Sequence, residues 1–168
     1  MKPIELVTAA LITAAMCVFA PLTVPMGPIP LSFATVCVYL AAAMLGCWNS
    51  VLCVVIYILI GALGVPVFAG YGAGAAQVMG VTGGFILGYI PCAAIAGALL
   101  SRRCKGWRVP LAFAVGTLAL YAAGTGWYMW QTGASFLTAL TLCVVPFLLG
   151  DAVKIAAATG LVNLLRRT

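Results

Sequence analysis

Pro146-Phe147-Leu148-Leu149-Gly150-Asp151-Ala152-Val153-Lys154 sets a carboxylate and an ammonium three residues apart inside an apolar run. On a helix that spacing puts both side chains on one face. The only other acidic residue is Glu5, close to the amino terminus. A charge near the middle of a bilayer costs ~2.5–3.5 kcal/mol even on the lenient insertion scale. Residues this expensive pair with one another or line a polar cavity, so Asp151 and Lys154 head the candidate site. The competing role is an ion pair that only ties two helices together. Pro146 and Gly150 predict a break or kink in the same segment.

The rest of the chain has the composition of a membrane protein. It is 65% hydrophobic and 6% charged, with mean hydropathy +1.24. A soluble domain carries about 25% charged residues, so this chain cannot cover a water-facing surface. At ~20 residues per span its 168 residues cross a bilayer about six times. Continuous apolar runs exclude a β-barrel, whose strands would alternate. The predicted fold is all-α: one domain over residues 1–168, a bundle of six transmembrane helices. The net charge of +6 sits at segment ends. Topology accounts for it, with no need for a nucleic-acid partner. The seven cysteines lie mostly within apolar runs, without CxxC and without histidine, and read as small hydrophobes rather than a disulfide framework or metal site.

Outward from the charged stretch, the expected segments are 4–20, 31–45, 50–63, 85–100, 109–130 and one from about 134 to the basic pair Arg166-Arg167, with a short turn at 46–49. Segment one follows Lys2 but has no clear cleavage site before Pro21, and reads as a retained helix. It carries Ala10 and Ala14 at small-xxx-small spacing, which lets another helix approach closely. Residues 21–30 hold four prolines and cannot form a regular helix. Residues 64–84 are rich in glycine and uncharged. Both loops are apolar, and apolar irregular backbone at a membrane must be buried or line a cavity. The second reads as a lid. Trp127-Tyr128-Met129-Trp130 reads mainly as an interfacial belt.

Lys2, the cluster 102–108 and Arg166-Arg167 mark one side, while the loops after segments one, three and five carry no basic residue. The positive-inside rule then puts both termini in the cytoplasm and both unusual loops outside. Lys154 lies roughly 18 Å outward of Arg166 at ~1.5 Å per residue. The charged pair and the two loops converge on the outer half of the membrane, which predicts a pocket opening outward. No GxxxxGK[ST] is present, so the chain has no Walker A site.

Four motifs together resemble the biotin transporter BioY family, the substrate-binding S components of energy-coupling-factor transporters. They are Gly27-Pro28-Ile29-Pro30-Leu31-Ser32-Phe33, Gly64-Val65-Pro66-Val67-Phe68-Ala69-Gly70, Gly80-Val81-Thr82-Gly83-Gly84-Phe85 and the stretch 146–154. The last resembles the family's Pro-Phe-x-x-Gly-Asp-x-x-Lys. Val81 and Phe85 depart from the family's usual proline and tyrosine. The resemblance implies a multi-pass protein of a bacterial or archaeal plasma membrane. It implies that Asp151 and Lys154 bind biotin, that the outer loops close over it, and that no cofactor is used. It also implies that the Ala10/Ala14 face docks on a transmembrane coupling subunit, with separate ATPase subunits supplying energy.

Biotin offers an apolar ring and chain, a ureido group and a carboxylate. Gln77, Tyr71, Ser32, Thr35 and Thr82 are the candidates for its remaining polar contacts. Each could serve a local hydrogen bond instead. Gly83 and Gly84 offer backbone groups or permit a turn. Two other classes of function stand beside this one. A stand-alone or ion-coupled carrier of biotin or another small carboxylated vitamin would use Asp151 as its proton site. An enzyme is disfavoured, because a lone carboxylate without histidine or a second acid leaves little for acid–base or metal chemistry.

Overall fold

The structure is a computed structural model that describes residues 3–24, 29–100 and 106–165. It is built from helices α1 (Pro3–Phe19), α2 (Ala34–Ala62), α3 (Ala75–Met79), α4 (Gly83–Leu99), α5 (Arg108–Thr132), α6 (Phe136–Cys143) and α7 (Val145–Leu165). Strands β1 (Thr23–Val24) and β2 (Leu31–Ser32) pair antiparallel, Thr23 opposite Ser32. Three helical stretches are long and apolar enough to cross a membrane: Ala34–Ala62, Arg108–Thr132 and Phe136–Leu165, the last covering α6 and α7. The shorter helices α1 and α4 are apolar as well. Long apolar side chains on the exterior, among them Leu11, Leu59, Leu118 and Leu149, are more than half exposed. In water such a surface would drive aggregation; in lipid it is matched to its solvent. The molecule is a membrane helical bundle.

The expected turn at 46–49 shrinks to one residue. Gly46 has φ 77° and ψ −175°, a conformation essentially restricted to glycine, while Cys47, Trp48 and Asn49 are already helical. The chain reverses there. Ser32 Oγ, just before α2, donates to Ala20 O at 2.8 Å. Beyond the far end of α2, Gly70 N donates to Pro21 O at 3.1 Å. Both ends of α2 therefore lie beside the carboxyl end of α1. Ala43, Met44 and Leu45 lie at the opposite end of the bundle, around a cleft shared with Ile4, Thr8, Val162 and Leu165. Helix α4 packs directly on the reversal: a Cβ on Gly97 would sit 2.8 Å from the Cys47 backbone.

The core is small-residue packing around a few aromatics. Tyr39 stacks on Phe113 at 4.7 Å, and its hydroxyl meets Thr117 Oγ1 at 2.5 Å. Tyr57 meets Phe68 edge-on and donates to Val67 O at 2.9 Å. Helices α4 and α5 approach through Gly88 and Gly116, where an added Cβ would press on Leu120 and on the Cys92 carbonyl. In lipid no hydrophobic force joins helices, so close van der Waals packing of this kind does. The six described cysteines are free thiols, and Cys37, Cys53, Cys92 and Cys143 are buried.

The two irregular loops are more ordered than the sequence predicts. Residues 21–30 contribute β1, which pairs with β2 just beyond them, and 25–28 lie outside the described residues. Residues 64–84 contain a 3₁₀ turn at Ala69–Tyr71 and helix α3. The break in the last segment falls at Val144 (φ −124°, ψ −54°), two residues before Pro146. A proline lacks the N–H that an interior position needs, so the new helix α7 starts where that N–H is not missed. Gly150 does not break α7. It admits Leu31, whose Cδ2 would lie 2.7 Å from an added Cβ. Lys2, 102–105 and Arg166-Arg167, which carry most of the orientation argument, lie outside the described residues.

Candidate functional site

Helix α7 carries Asp151 and Lys154 on its inward face, 5% and 6% exposed. Their spacing closes a salt bridge of 3.1 Å between Lys154 Nζ and Asp151 Oδ1. Each charge has a second partner from another element. Lys154 Nζ donates to Ser32 O at 2.6 Å. The Tyr121 hydroxyl, from α5, donates to Asp151 Oδ2 at 2.5 Å. A buried pair persists only where further hydrogen bonds satisfy its remaining valences. Tyr121 and Ser32 supply them here.

Ser32 is the junction. Its carbonyl receives Lys154, its Oγ donates to Ala20 O, and the same Oγ accepts from Ala34 N at 3.0 Å. The strand β2, the end of α1 and the start of α2 therefore meet at the charged pair. Thr35 Oγ1 points at the same Ser32 carbonyl from 3.5 Å.

The pair opens on a narrow cavity of about 40 Å³. Ser32, Thr35, Tyr89 and Tyr121 line it with the charged pair, and Phe85 and Phe147 give it apolar walls. A second compartment of about 30 Å³ adjoins it across Ile29, Pro30, Ser32, Phe85 and Tyr89. Gln77 and Thr82 line that one, and Gln77 Nε2 donates to Thr82 Oγ1 at 3.4 Å. Ligand sites for small molecules measure ~300–1,000 Å³. Both compartments are smaller than that.

Four of the expected polar contacts come together here: Ser32 and Thr35 beside the charged pair, Gln77 and Thr82 in the adjoining compartment. Three positions do not reach the cavity walls. Tyr71 is 65% exposed, at the tip of the 3₁₀ turn, with φ 62°. Gly83 and Gly84 are packing positions, where an added Cβ would collide with the Val78 carbonyl and with Trp127 respectively. Trp127 donates to Gly80 O at 3.0 Å and Gln131 to Met79 O at 2.7 Å, so α5 holds the carboxyl end of α3. Trp127 is thereby a loop anchor; Trp130 is 74% exposed, as a belt residue would be.

The sequence reading missed Tyr121, Tyr89, Phe85 and Phe147. Tyr121 had a signal: a tyrosine in the middle of an apolar span needs a partner for its hydroxyl. Ala10 and Ala14 are exposed and line an apolar groove of about 390 Å³ with Leu6, Leu52, Ile56 and Ile60.

The chain matches the BioY family model over residues 1–168. It is similar to the probable biotin transporter BioY of Pyrococcus horikoshii, 38% identical over 94% of this chain and 93% of the relative. It is also similar to the biotin transporter BioY of Thermotoga maritima, 34% identical over 92% and 90% of the two chains. Its fold superposes on the crystal structure of the S-component for biotin from an ECF-type ABC transporter, with TM-score 0.91, 24% identity and coverage of 99% and 93%. A family match from end to end and relatives above 30% identity over nearly their full length leave one conclusion: this chain belongs to the BioY family.

Proposed function

We propose that the chain is the biotin-binding membrane subunit of an energy-coupling-factor uptake system. The observation that carries this is the buried Asp151–Lys154 pair, set against aromatic walls in a chain of this family. Biotin matches those groups: an apolar ring and chain for Phe85 and Phe147, and polar ends for the charged pair and for Gln77 and Thr82. Biotin is larger than either compartment, so on this reading the segment around Ile29–Ser32 and the loop holding Gln77 and Thr82 move outward as ligand enters. Tyr71 and Ala73 sit on the outer surface of that loop and travel with it.

The chain then crosses a plasma membrane six times, with both termini cytoplasmic. The helix directions support this, since α2 supplies two passes by reversing at Gly46 and α6–α7 supply one broken pass. The groove beside Ala10 and Ala14 receives a helix of the transmembrane coupling subunit, and separate ATPase subunits supply the energy. Small residues flanked by Leu52 and Ile56 suit close helix contact.

The test is mass spectrometry of the ligand that co-purifies with the detergent-solubilised protein, followed by titration of the washed protein with biotin. Biotin is the expected ligand. A different carboxylated vitamin bound in its place, with no response to biotin, overturns the reading.

A further inference from the structure

We propose that the groove between α5 and α6 holds one acyl chain of a membrane phospholipid, and that this chain backs Tyr121 against Asp151. The groove measures about 420 Å³. Leu118, Ala122 and Met129 of α5 line it opposite Phe136 and Leu140 of α6, with Val144 at the break that follows. Both walls belong to stretches long and apolar enough to cross a membrane. None of the described lining residues is charged. Ala122 and Gly126 are exposed, and a Cβ on Gly126 would meet nothing within 4 Å, so the floor is open.

Hydrogen bonding narrows the choice of occupant. The hydroxyl of Tyr121, which also lines the groove, is committed to Asp151 Oδ2. Thr125 lines the groove as well, and its Oγ1 is buried without a partner among the described residues. That oxygen is covered, so it offers a guest nothing. The helical backbone is bonded within itself. The surface presented is hydrocarbon. Length narrows the choice further. From Leu118 to Met129 the helix rises roughly 16 Å at ~1.5 Å per residue. One leaflet's hydrocarbon is about 15 Å, half of the ~30 Å core. Ala122 and Gly126 stand at small-xxx-small spacing, but a transmembrane helix of another protein needs about twice that length of groove. The second wall stops at Cys143, where α6 ends. An acyl chain fits. It enters from the leaflet beside Met79 and Gly80, whose carbonyls bond Gln131 and Trp127 at that end of α5.

Tyr121 lines both this groove and the cavity of Asp151, so its ring is the partition between them. A chain in the groove leaves the ring no room to swing away and keeps its hydroxyl on the carboxylate. On the reading that the cavity takes biotin, on which this consequence rests, affinity depends on lipid.

The experiment has two arms. In the first, protein in phosphatidylcholine vesicles with a trace of phosphatidylcholine carrying a mid-chain diazirine is irradiated, and cross-linked peptides are identified by mass spectrometry. Cross-links should fall on 118–129 and 136–144 several-fold more often than around Val18 and Leu59, which are exposed at the same end of the bundle. Gly126→Leu fills the floor and should erase the excess. In the second arm, the protein is titrated with biotin in a bile-salt detergent, whose rigid rings do not suit a chain-wide groove. Adding phosphatidylcholine should tighten binding roughly 3- to 10-fold, the scale of one hydrogen bond. In Gly126→Leu that gain should vanish. Even labelling overturns the proposal, as does wild-type affinity indifferent to phosphatidylcholine. A groove labelled less than Val18 and Leu59 overturns it too, in favour of a protein helix lying there. If Gly126→Leu does not fold, the two wild-type comparisons decide. Wild-type protein that binds no biotin with or without lipid defeats the functional reading instead, and the cross-links still decide the lipid site.

Discussion

Lys154 Nζ hydrogen-bonds the carbonyl of Ser32 at 2.6 Å, joining residues 122 positions apart in the chain. The ammonium thus holds β2 against α7 while it neutralises Asp151. Lys154→Met removes both roles and leaves a buried carboxylate with Tyr121 alone. Breaking one side of a buried pair costs ~3–5 kcal/mol. The Asp151→Asn, Lys154→Met double variant should recover at least half of that. Thermal unfolding in one detergent checks this; additive losses would mean the two charges are not coupled.

The same double variant should fail to bind. Losing hydrogen bonds to charged groups weakens a ligand roughly 10- to 150-fold per bond. Biotin titration of the folded double variant gives the answer, and wild-type affinity would remove Asp151 and Lys154 from the site.

Trp127 and Gln131 hold the carboxyl end of α3 through Gly80 O and Met79 O. A cysteine at exposed Ala73, in an otherwise cysteine-free background, should label more slowly with biotin present. Adding Gln131→Leu should speed labelling by a few-fold without ligand, since one anchor bond is gone. Equal labelling rates at zero and saturating biotin would argue against closure of this loop.

Ala10→Trp and Ala14→Trp fill the groove between α1 and the second arm of α2. Both positions are exposed, so the variants should fold and bind biotin normally. Pull-down of the coupling subunit should fall by at least 10-fold if helices meet there at close range. Loss of biotin binding in parallel would make the face part of the bundle's own packing.

Gly46→Ala should destabilise the bundle by ~1–3 kcal/mol, because φ 77° with ψ −175° is closed to residues with a Cβ. The space around Gly46 is open, so the cost is conformational rather than steric contact. Unfolding in denaturing detergent measures it; a neutral result would mean the reversal relaxes easily.

Composition alone announces a membrane bundle, and the i, i+3 spacing alone announces the charged pair. Ser32, Thr35, Gln77 and Thr82 were also legible as polar residues in apolar surroundings. What stayed hidden depended on contacts between distant segments. The carbonyl of Ser32 as a partner for Lys154 has no sequence signal, because any residue carries a carbonyl. Tyr121 had one, a hydroxyl in the middle of an apolar span, but only the fold sets it beside Asp151. Gly83 and Gly84 read either as backbone groups for a ligand or as turn residues, and the fold sets Val78 and Trp127 where their side chains would be. The β1–β2 hairpin was masked by prolines, which argue against helix without announcing the pairing of their neighbours.

The narrowness of the space beside Asp151 also bears on selectivity. About 40 Å³ has room for a few water molecules at most. Polar groups of an arriving ligand therefore compete mainly with protein groups and hardly with solvent. Matched groups exchange one bond for another, with little net gain from polarity. A molecule of the same shape that lacks a matching group leaves Asp151 or Lys154 short of a bond in a dry place, and such sites reject the near-miss by factors of up to ~10⁴–10⁵. If the proposed site is the right one, the buried charges act less as a source of attraction than as a penalty for the wrong guest.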